Sequence, residues 1–273
     1  MAKIDRIKVR KAFDRGACRY EETVRVQKLV VKKIIADLSQ LSSLFPPDRI
    51  LDIGAGTGML LRSLRETYPE AFLAGLDLAS GMASEALGSM RAQDDFLYVQ
   101  GDAEEIPFAD GTFDLVVSTS TYQWLSELGP AFREVERVLV SGGTFLFALF
   151  GDGTLSELKS SYQRALIHES SNAAGNRSQQ FFSRDEVLRI LVELGFHDVA
   201  AENCTEKEYY PDVAAFLRSL KGIGAGTSAF LPATGLGGRR IIRKMMELYQ
   251  LDYTETNGIP VSYEVIYGRG RKI

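Results

Sequence analysis

Residues 49–58, Arg-Ile-Leu-Asp-Ile-Gly-Ala-Gly-Thr-Gly, constrain the fold more than any other stretch of this chain. A short apolar run ends in three glycines spaced by single residues, and an amphipathic stretch follows through Tyr68. Glycine lacks a β-carbon, so it permits a tight strand-to-helix turn and lets a ligand lie directly on the backbone. In open α/β sheets that turn faces the crevice at the carboxyl ends of the strands. A pyrophosphate-binding turn expects Gly-x-Gly-x-x-Gly, whose third glycine would fall at position 59. Met59 stands there, and the third glycine comes one residue early, at Gly58. Asp52, two residues before Gly54, would repel a pyrophosphate. It can accept hydrogen bonds or attract positive charge, which suits the sulfonium and amino group of S-adenosylmethionine.

The rest of the chain alternates short apolar runs with amphipathic stretches, the pattern of βαβ units and a mostly parallel sheet. The expected strands are 49–53, 72–77, 96–100, 114–118, 144–149, 198–205 and 261–267. Helices are expected over 57–68, 80–91, 128–138 and 183–194, with Gly195 as a stop. Three segments stand outside this alternation. Residues 1–45 read as a helical lid ended by Pro46-Pro47. Residues 151–182 read as an inserted helix, with Leu155, Leu158, Tyr162, Leu166 and Ile167 on one face, followed by a polar loop. Residues 206–258 carry Gly222, Gly224 and Gly226 and a helix over 237–251. The last two are expected as cap insertions over the ligand edge of a single domain spanning 1–273, with 49–150 as the cofactor-binding core.

Two further acids close strands. Asp77 is placed to accept both ribose hydroxyls, because a carboxylate offers two oxygens to a vicinal diol. Asp102 can accept from the adenine amino group, with Leu78 and Met82 flanking the ring. Each acid taken alone also suits a helix N-cap or a loop; three at successive strand ends behind the glycine turn point to one site.

Leu51-Asp-Ile-Gly-Ala-Gly-Thr-Gly58, Gly75-Leu-Asp-Leu78, Gly101-Asp-Ala103 and Phe113-Asp-Leu-Val-Val-Ser118 resemble the successive motifs of class I methyltransferases. That resemblance implies a Rossmann-like, seven-stranded sheet in the order 3-2-1-4-5-7-6 with the last strand antiparallel. It implies a cofactor site built from Asp52, Gly54, Gly56, Gly58, Asp77, Leu78, Met82, Asp102, Ala103 and Ser118. Lys11-Ala-Phe-Asp-Arg15, Tyr20 to Gln27, Thr121-Tyr-Gln-Trp-Leu125, Arg218 to Ala225 and Pro260 to Gly268 extend the likeness over nearly the whole chain. Together they resemble the malonyl-acyl carrier protein O-methyltransferases of biotin synthesis. One departure stands out: that family commonly has Asn after the fourth-strand Ser and after the Gly-Ile-Gly-Ala run. Thr119 and Gly226-Thr-Ser228 stand here instead.

The resemblance implies methylation of the free carboxylate of a malonyl thioester on acyl carrier protein, priming pimeloyl synthesis. A carboxylate with a pKa near 4 is already ionised at neutral pH, so no general base is needed. The enzyme must hold oxygen, methyl and sulfur in line, about 3 to 3.5 Å apart, and exclude water. Tyr20 is the candidate catalytic residue, closing over the cofactor and positioning the reacting groups; otherwise it is a helix-face aromatic. Gln123, Trp124, Lys221, Arg239 and Arg240 are candidates for substrate binding. Trp124 also suits a core position, and Lys221 a solvated one.

Composition narrows the classes. Two cysteines and two histidines, none in a ligand-spaced cluster, argue against a zinc site, a disulfide framework or a His-based triad, so no metal is expected. No run approaches the roughly 20 apolar residues that span a bilayer, and the charged start is no signal peptide, so a cytoplasmic protein without membrane contact is expected. Charge is uneven: residues 1–33 hold 11 Lys/Arg against 4 Asp/Glu and residues 211–273 hold 9 against 5, although the net charge is −4. Basic ends suit docking of an acidic carrier protein, with Arg239 and Arg240 foremost, or simple solvation of helix faces. A negative total and the lack of an RNA module argue against a nucleic-acid partner. A monomer is expected. The alternative is a class I methyltransferase acting on the carbon, oxygen or nitrogen of another small metabolite; a sensor that binds the cofactor without turnover lies outside catalysis.

Overall fold

The computed structural model describes residues 4–41, 46–89, 96–169, 181–222 and 235–273. The polar loop expected over 170–178, and the 223–234 portion of the second cap with its glycines, lie outside the described residues. The chain begins with α1 (Arg6–Gly16), a 3-10 turn (Ala17–Arg19), α2 (Tyr20–Thr23) and α3 (Val26–Leu41). It continues through β1 (Arg49–Ile53), α4 (Met59–Thr67), β2 (Phe72–Asp77), α5 (Ser80–Gly88), β3 (Leu97–Gln100) and β4 (Phe113–Thr119). A second 3-10 turn (Tyr122–Trp124) leads to α6 (Gly129–Val138), β5 (Leu139–Phe150), α7 (Ser156–His168) and α8 (Arg184–Glu193). The described chain closes with β6 (His197–Tyr210), α9 (Val213–Gly222), α10 (Gly235–Tyr253) and β7 (Ile259–Arg271).

The seven strands form one sheet in the order β3-β2-β1-β4-β5-β7-β6. Strands β1 to β5 pair in parallel, and β7 runs antiparallel to both β5 and β6. This is the expected class I order. The central strands are buried on both faces, which is why β1, β2 and β4 read as nearly continuous apolar runs rather than alternating ones. Their side chains still alternate. Ile50, Leu73, Leu115 and Val117 join the core beneath α3, α4, α7, α9 and α10. Leu51, Ile53, Leu76 and Val116 join the one beneath α6 and α8. Each fully buried large apolar side chain contributes roughly 1.5–3 kcal/mol, so the sheet is a rigid support for whatever its strand ends carry.

Strand β5 begins at Leu139 rather than 144, β7 spans Ile259–Arg271 rather than 261–267, and three further expectations change. Strand β6 continues to Tyr210, pairing with β7 as far as Tyr210↔Ile259, so the second insertion begins after 210 rather than at 206. The polar run Glu206-Lys207-Glu208 hid this, because an edge strand needs an apolar partner on one face only. Helix α4 starts at Met59 rather than Thr57, since Gly58 at its N-cap has φ +79°, a left-handed conformation no helix continues through. In α7, Ile167 is 80% exposed. The buried stripe is Leu155, Leu158, Tyr162 and Ala165, and Ile167 lies two residues beyond it on a helix that turns 100° per residue.

Candidate active site

The glycine turn after β1 is built as the sequence suggests. Gly54 N–H and Ala55 N–H both donate to the carbonyl of Leu76, at 2.7 and 3.0 Å, tying the turn to the end of β2. Gly54, Gly56 and Gly58 have φ of +74°, +55° and +79°. At Gly54 a β-carbon would fall 1.9 Å from Thr121 Oγ1, so the turn after β4 presses directly on the backbone there. Asp77 sits at the rim. Its Oδ2 accepts from Gly56 N–H at 2.9 Å and its Oδ1 from Ala79 N–H at 2.8 Å. Burial raises its carboxyl above the ordinary value, and the two backbone donors work against that shift.

A cleft opens above these residues. Gly54, Gly56, Asp77, Leu78, Met82 and Ala103 line it, as expected from sequence. Four expected cofactor residues take other positions. Asp52 is fully buried within β1 and does not line the cleft; neither carboxylate oxygen has a hydrogen-bond partner among the described residues. Burial, reinforced by the nearby Asp77 charge, pushes its carboxyl well above the usual range. Gly58 serves the turn, facing Ala86 and Phe96. Ser118 is buried and donates its hydroxyl to the carbonyl of Ile53 at 2.7 Å, so it ties β4 to β1 instead of facing the cleft. Asp102 holds Arg6 in an ion pair and accepts from Glu104 N–H at 2.9 Å.

The amino-terminal helices form one wall, and several contacts fasten them beside the cleft. Ile4 N–H donates to Ser126 Oγ at 3.2 Å. Arg6 bridges Asp102 and Glu104. Asp14 Oδ1 accepts from Gly81 N–H at 2.8 Å, at the start of α5. Glu21 Oε1 accepts from Thr57 Oγ1 and Arg62 Nη2, both at 2.6 Å. Asp14 and Glu21 thus meet positive ends of helices or a cation, as the dipole favours.

A second, tighter cavity adjoins the first. The two share Phe13, Tyr20, Ser120 and Trp124. Phe13 stands edge-on to Trp124 at 5.5 Å and to Tyr20 at 6.1 Å. Gln123 lines the second cavity and donates to the carbonyl of Ser120 at 2.6 Å. Behind this turn Tyr122 is locked edge-on between Phe132, Phe145 and Phe147 at 5.1–6.1 Å, which fixes the residues on either side of it. Burial, followed by the charges of Asp77 and Glu21, raises the Tyr20 phenol, so it is a neutral donor at working pH. Burial does the same to Tyr263 on the far wall.

The remaining substrate candidates lie elsewhere. Arg239 and Arg240 are exposed on α10, with Arg243 on the same side of the helix. Lys221 belongs to α9, but its side chain is outside the described residues. Sequence reasoning missed Arg6, Thr121 and Ser120. Ser120 has φ +55°, a left-handed serine held by Ala148 and Gln123, and no residue pattern announces such a conformation. Neither histidine lines either cavity, and among the described residues no cluster of His, Cys, Asp or Glu has the makings of a metal site. No helix among the described residues is long and apolar enough to cross a membrane.

Comparison with known proteins agrees with this geometry. Residues 51–147 match the family model described as a methyltransferase domain. The YcgJ protein of Bacillus subtilis superposes with a TM-score of 0.59 at 21% identity, covering 88% of this chain and 98% of that one, a likeness of fold. A malonyl-[acyl-carrier protein] O-methyltransferase of Nitrosospira multiformis is 31% identical across 98% of this chain and 90% of its own length. The enzyme of that name from Geobacter sulfurreducens is 47% identical over 269 residues, 98% of this chain and all of the relative. With both the glycine turn and the flanking helices inside that match, the chain belongs to the malonyl-[acyl-carrier protein] O-methyltransferase family.

Proposed function

We propose that this chain methylates the free carboxylate of a malonyl thioester carried on the phosphopantetheine arm of acyl carrier protein, giving the methyl ester that enters pimeloyl synthesis for biotin. One observation carries the reading: two adjoining cavities meet at Phe13, Tyr20, Ser120 and Trp124, as a transfer between two ligands requires. The larger cleft fits S-adenosylmethionine. Gly54 and Gly56 offer bare backbone, Asp77 two oxygens for the ribose diol, Leu78 and Met82 an apolar bed for the adenine, and Ala103 its outer edge, with Asp102 beside Ala103 as the acceptor for the adenine amine. Asp52 lies beneath as an unpartnered buried carboxyl whose ionised form the cofactor's positive charge would favour, while Gly58 and Ser118 shape the turn from behind.

When bound, the cofactor supplies an electrophilic methyl group on a sulfonium. Transfer forms a carbon–oxygen bond and breaks a carbon–sulfur bond, and no proton moves, because the acceptor carboxylate is ionised beforehand. Tyr20, kept protonated by burial, donates toward the acceptor and closes the space between the cavities. Phe150, Leu155, Phe181 and Leu220 give the second cavity apolar walls that strip water from the acceptor oxygen. Gln123 and Trp124 orient the acyl group.

Residues 4–41 act as a lid, and the segments after β5 and β6 as a cap. Arg239 and Arg240, with Lys221, receive the acidic carrier protein, and the enzyme acts as a monomer. The decisive assay is methyl transfer to malonyl-carrier protein, with acetyl-carrier protein lacking the acceptor carboxylate. Robust methylation of the second, or none of the first, rejects the substrate. Charge reversal by Arg239→Glu and Arg240→Glu should raise KM for the carrier at least about tenfold, and unchanged turnover would reject the docking face.

A further inference from the structure

Arg6 opens α1, and its backbone is anchored on both sides. Ile4 N–H is held by Ser126, and Asp5 caps the helix by accepting from Lys8 N–H at 3.1 Å. From this fixed origin the Arg6 side chain reaches the far end of the cofactor cleft, which it lines. Its Nη2 pairs with Asp102 Oδ1 and its Nη1 with Glu104 Oε2. The three side chains are only 32, 29 and 25% exposed, so solvent screens them incompletely.

Both protein donors to Asp102 converge on the same atom: Oδ1 receives Arg6 Nη2 and also Glu104 N–H at 2.9 Å. These contacts pin the carboxylate through Oδ1. The guanidinium also holds together two like charges, Asp102 and Glu104, that would otherwise turn apart. A planar fork offers each carboxylate its own N–H group in a fixed geometry, which a single ammonium does not.

We propose that Arg6 is a positioning residue for adenine recognition: it fixes the Asp102 carboxylate so that Oδ2 meets the exocyclic amine of the cofactor's base. This rests on the reading of Asp102 as the adenine acceptor. Arg6 touches that base's partner and acts through it. A residue that merely shut the lid would affect every ligand of the cleft equally, whereas one that aims Asp102 sets the preference for an amine over a carbonyl at that position.

The test is calorimetric binding of S-adenosylhomocysteine and S-inosylhomocysteine to the full chain; inosine carries a carbonyl oxygen in place of the amine. The unaltered protein should favour the adenosyl ligand by at least about tenfold, the value of one well-made hydrogen bond to a charged group. Arg6→Ala should bring that ratio below about threefold, and Arg6→Lys, which keeps the charge but not the fork, should fall between. Asp14→Ala, which releases another fastening of the same lid, should weaken both ligands alike and keep the ratio. Arg6→Ala with an intact ratio, while Asp102→Ala loses it, would overturn the inference and leave the Asp102 reading standing. An intact ratio in Asp102→Ala would overturn both.

Discussion

Replacing Gly54 by alanine tests the site at its tightest point. Two costs are legible. The backbone there has φ +74°, where an L-residue is roughly 1–2 kcal/mol less stable than glycine. The new β-carbon would lie 1.9 Å from Thr121 Oγ1 and 2.7 Å from its Cβ, so Thr121 must swing away. That breaks its hydroxyl contacts to the carbonyls of Thr119 at 3.1 Å and Ile53 at 3.3 Å, worth about 1–2 kcal/mol together. Gly54→Ala should therefore destabilise the protein by about 2–4 kcal/mol. In a Thr121→Gly background the collision is gone and only the backbone cost of about 1–2 kcal/mol persists. Urea unfolding of the four proteins followed by circular dichroism gives the coupling, expected at about 1–2 kcal/mol. A coupling below about 0.5 kcal/mol would refute the claim that the turn after β4 presses on the glycine backbone.

Other outcomes follow from the same geometry. Ser120→Gly should leave stability unchanged or raise it by up to about 1 kcal/mol, and Ser120→Val should lower it by about 2 kcal/mol, because a β-branched residue tolerates φ +55° worst; equal stabilities would deny the strain. Asp52 binds its proton more tightly when folded, so as pH climbs from about 4 the unfolded chain ionises first and the native state loses ground. Asp52→Asn should flatten that decline in Tm up to pH 7, with Asp77 supplying the remaining slope in the same direction; an unaltered slope would exclude Asp52 as its source. Tyr20→Phe should cut kcat about tenfold while the pH–rate profile from 6 to 9 stays flat. A new limb in either profile would mean that a general base takes part after all.

The sheet was legible because parallel strands announce themselves by glycine turns and apolar runs, and the order by motif likeness. The place of Asp77, Leu78, Met82 and Ala103 beside the cleft was legible too, since Asp77 closes β2, Leu78 and Met82 come just after it and Ala103 comes just after β3. What escaped was set by tertiary contact. Ser118 reads like a cleft residue, yet the direction of its hydroxyl toward Ile53 depends on the pairing of β4 with β1. Asp102 reads like a ligand acid, but its ion pair comes from an arginine 96 positions earlier that only the packed lid brings near. The extension of β6 was masked by charged residues facing water, and the exposure of Ile167 by a stripe that Ala165, a small residue, completes.

Phe13, Tyr20, Ser120 and Trp124 act as a party wall between two rooms. A partition of that kind cannot be firmed on one side alone, so a tenant that steadies it from the nucleoside side pre-shapes the neighbouring room. Thermodynamic reciprocity then requires the help to be mutual and equal: whatever factor the spent donor adds to the grip on an acyl arm, the arm returns to the donor.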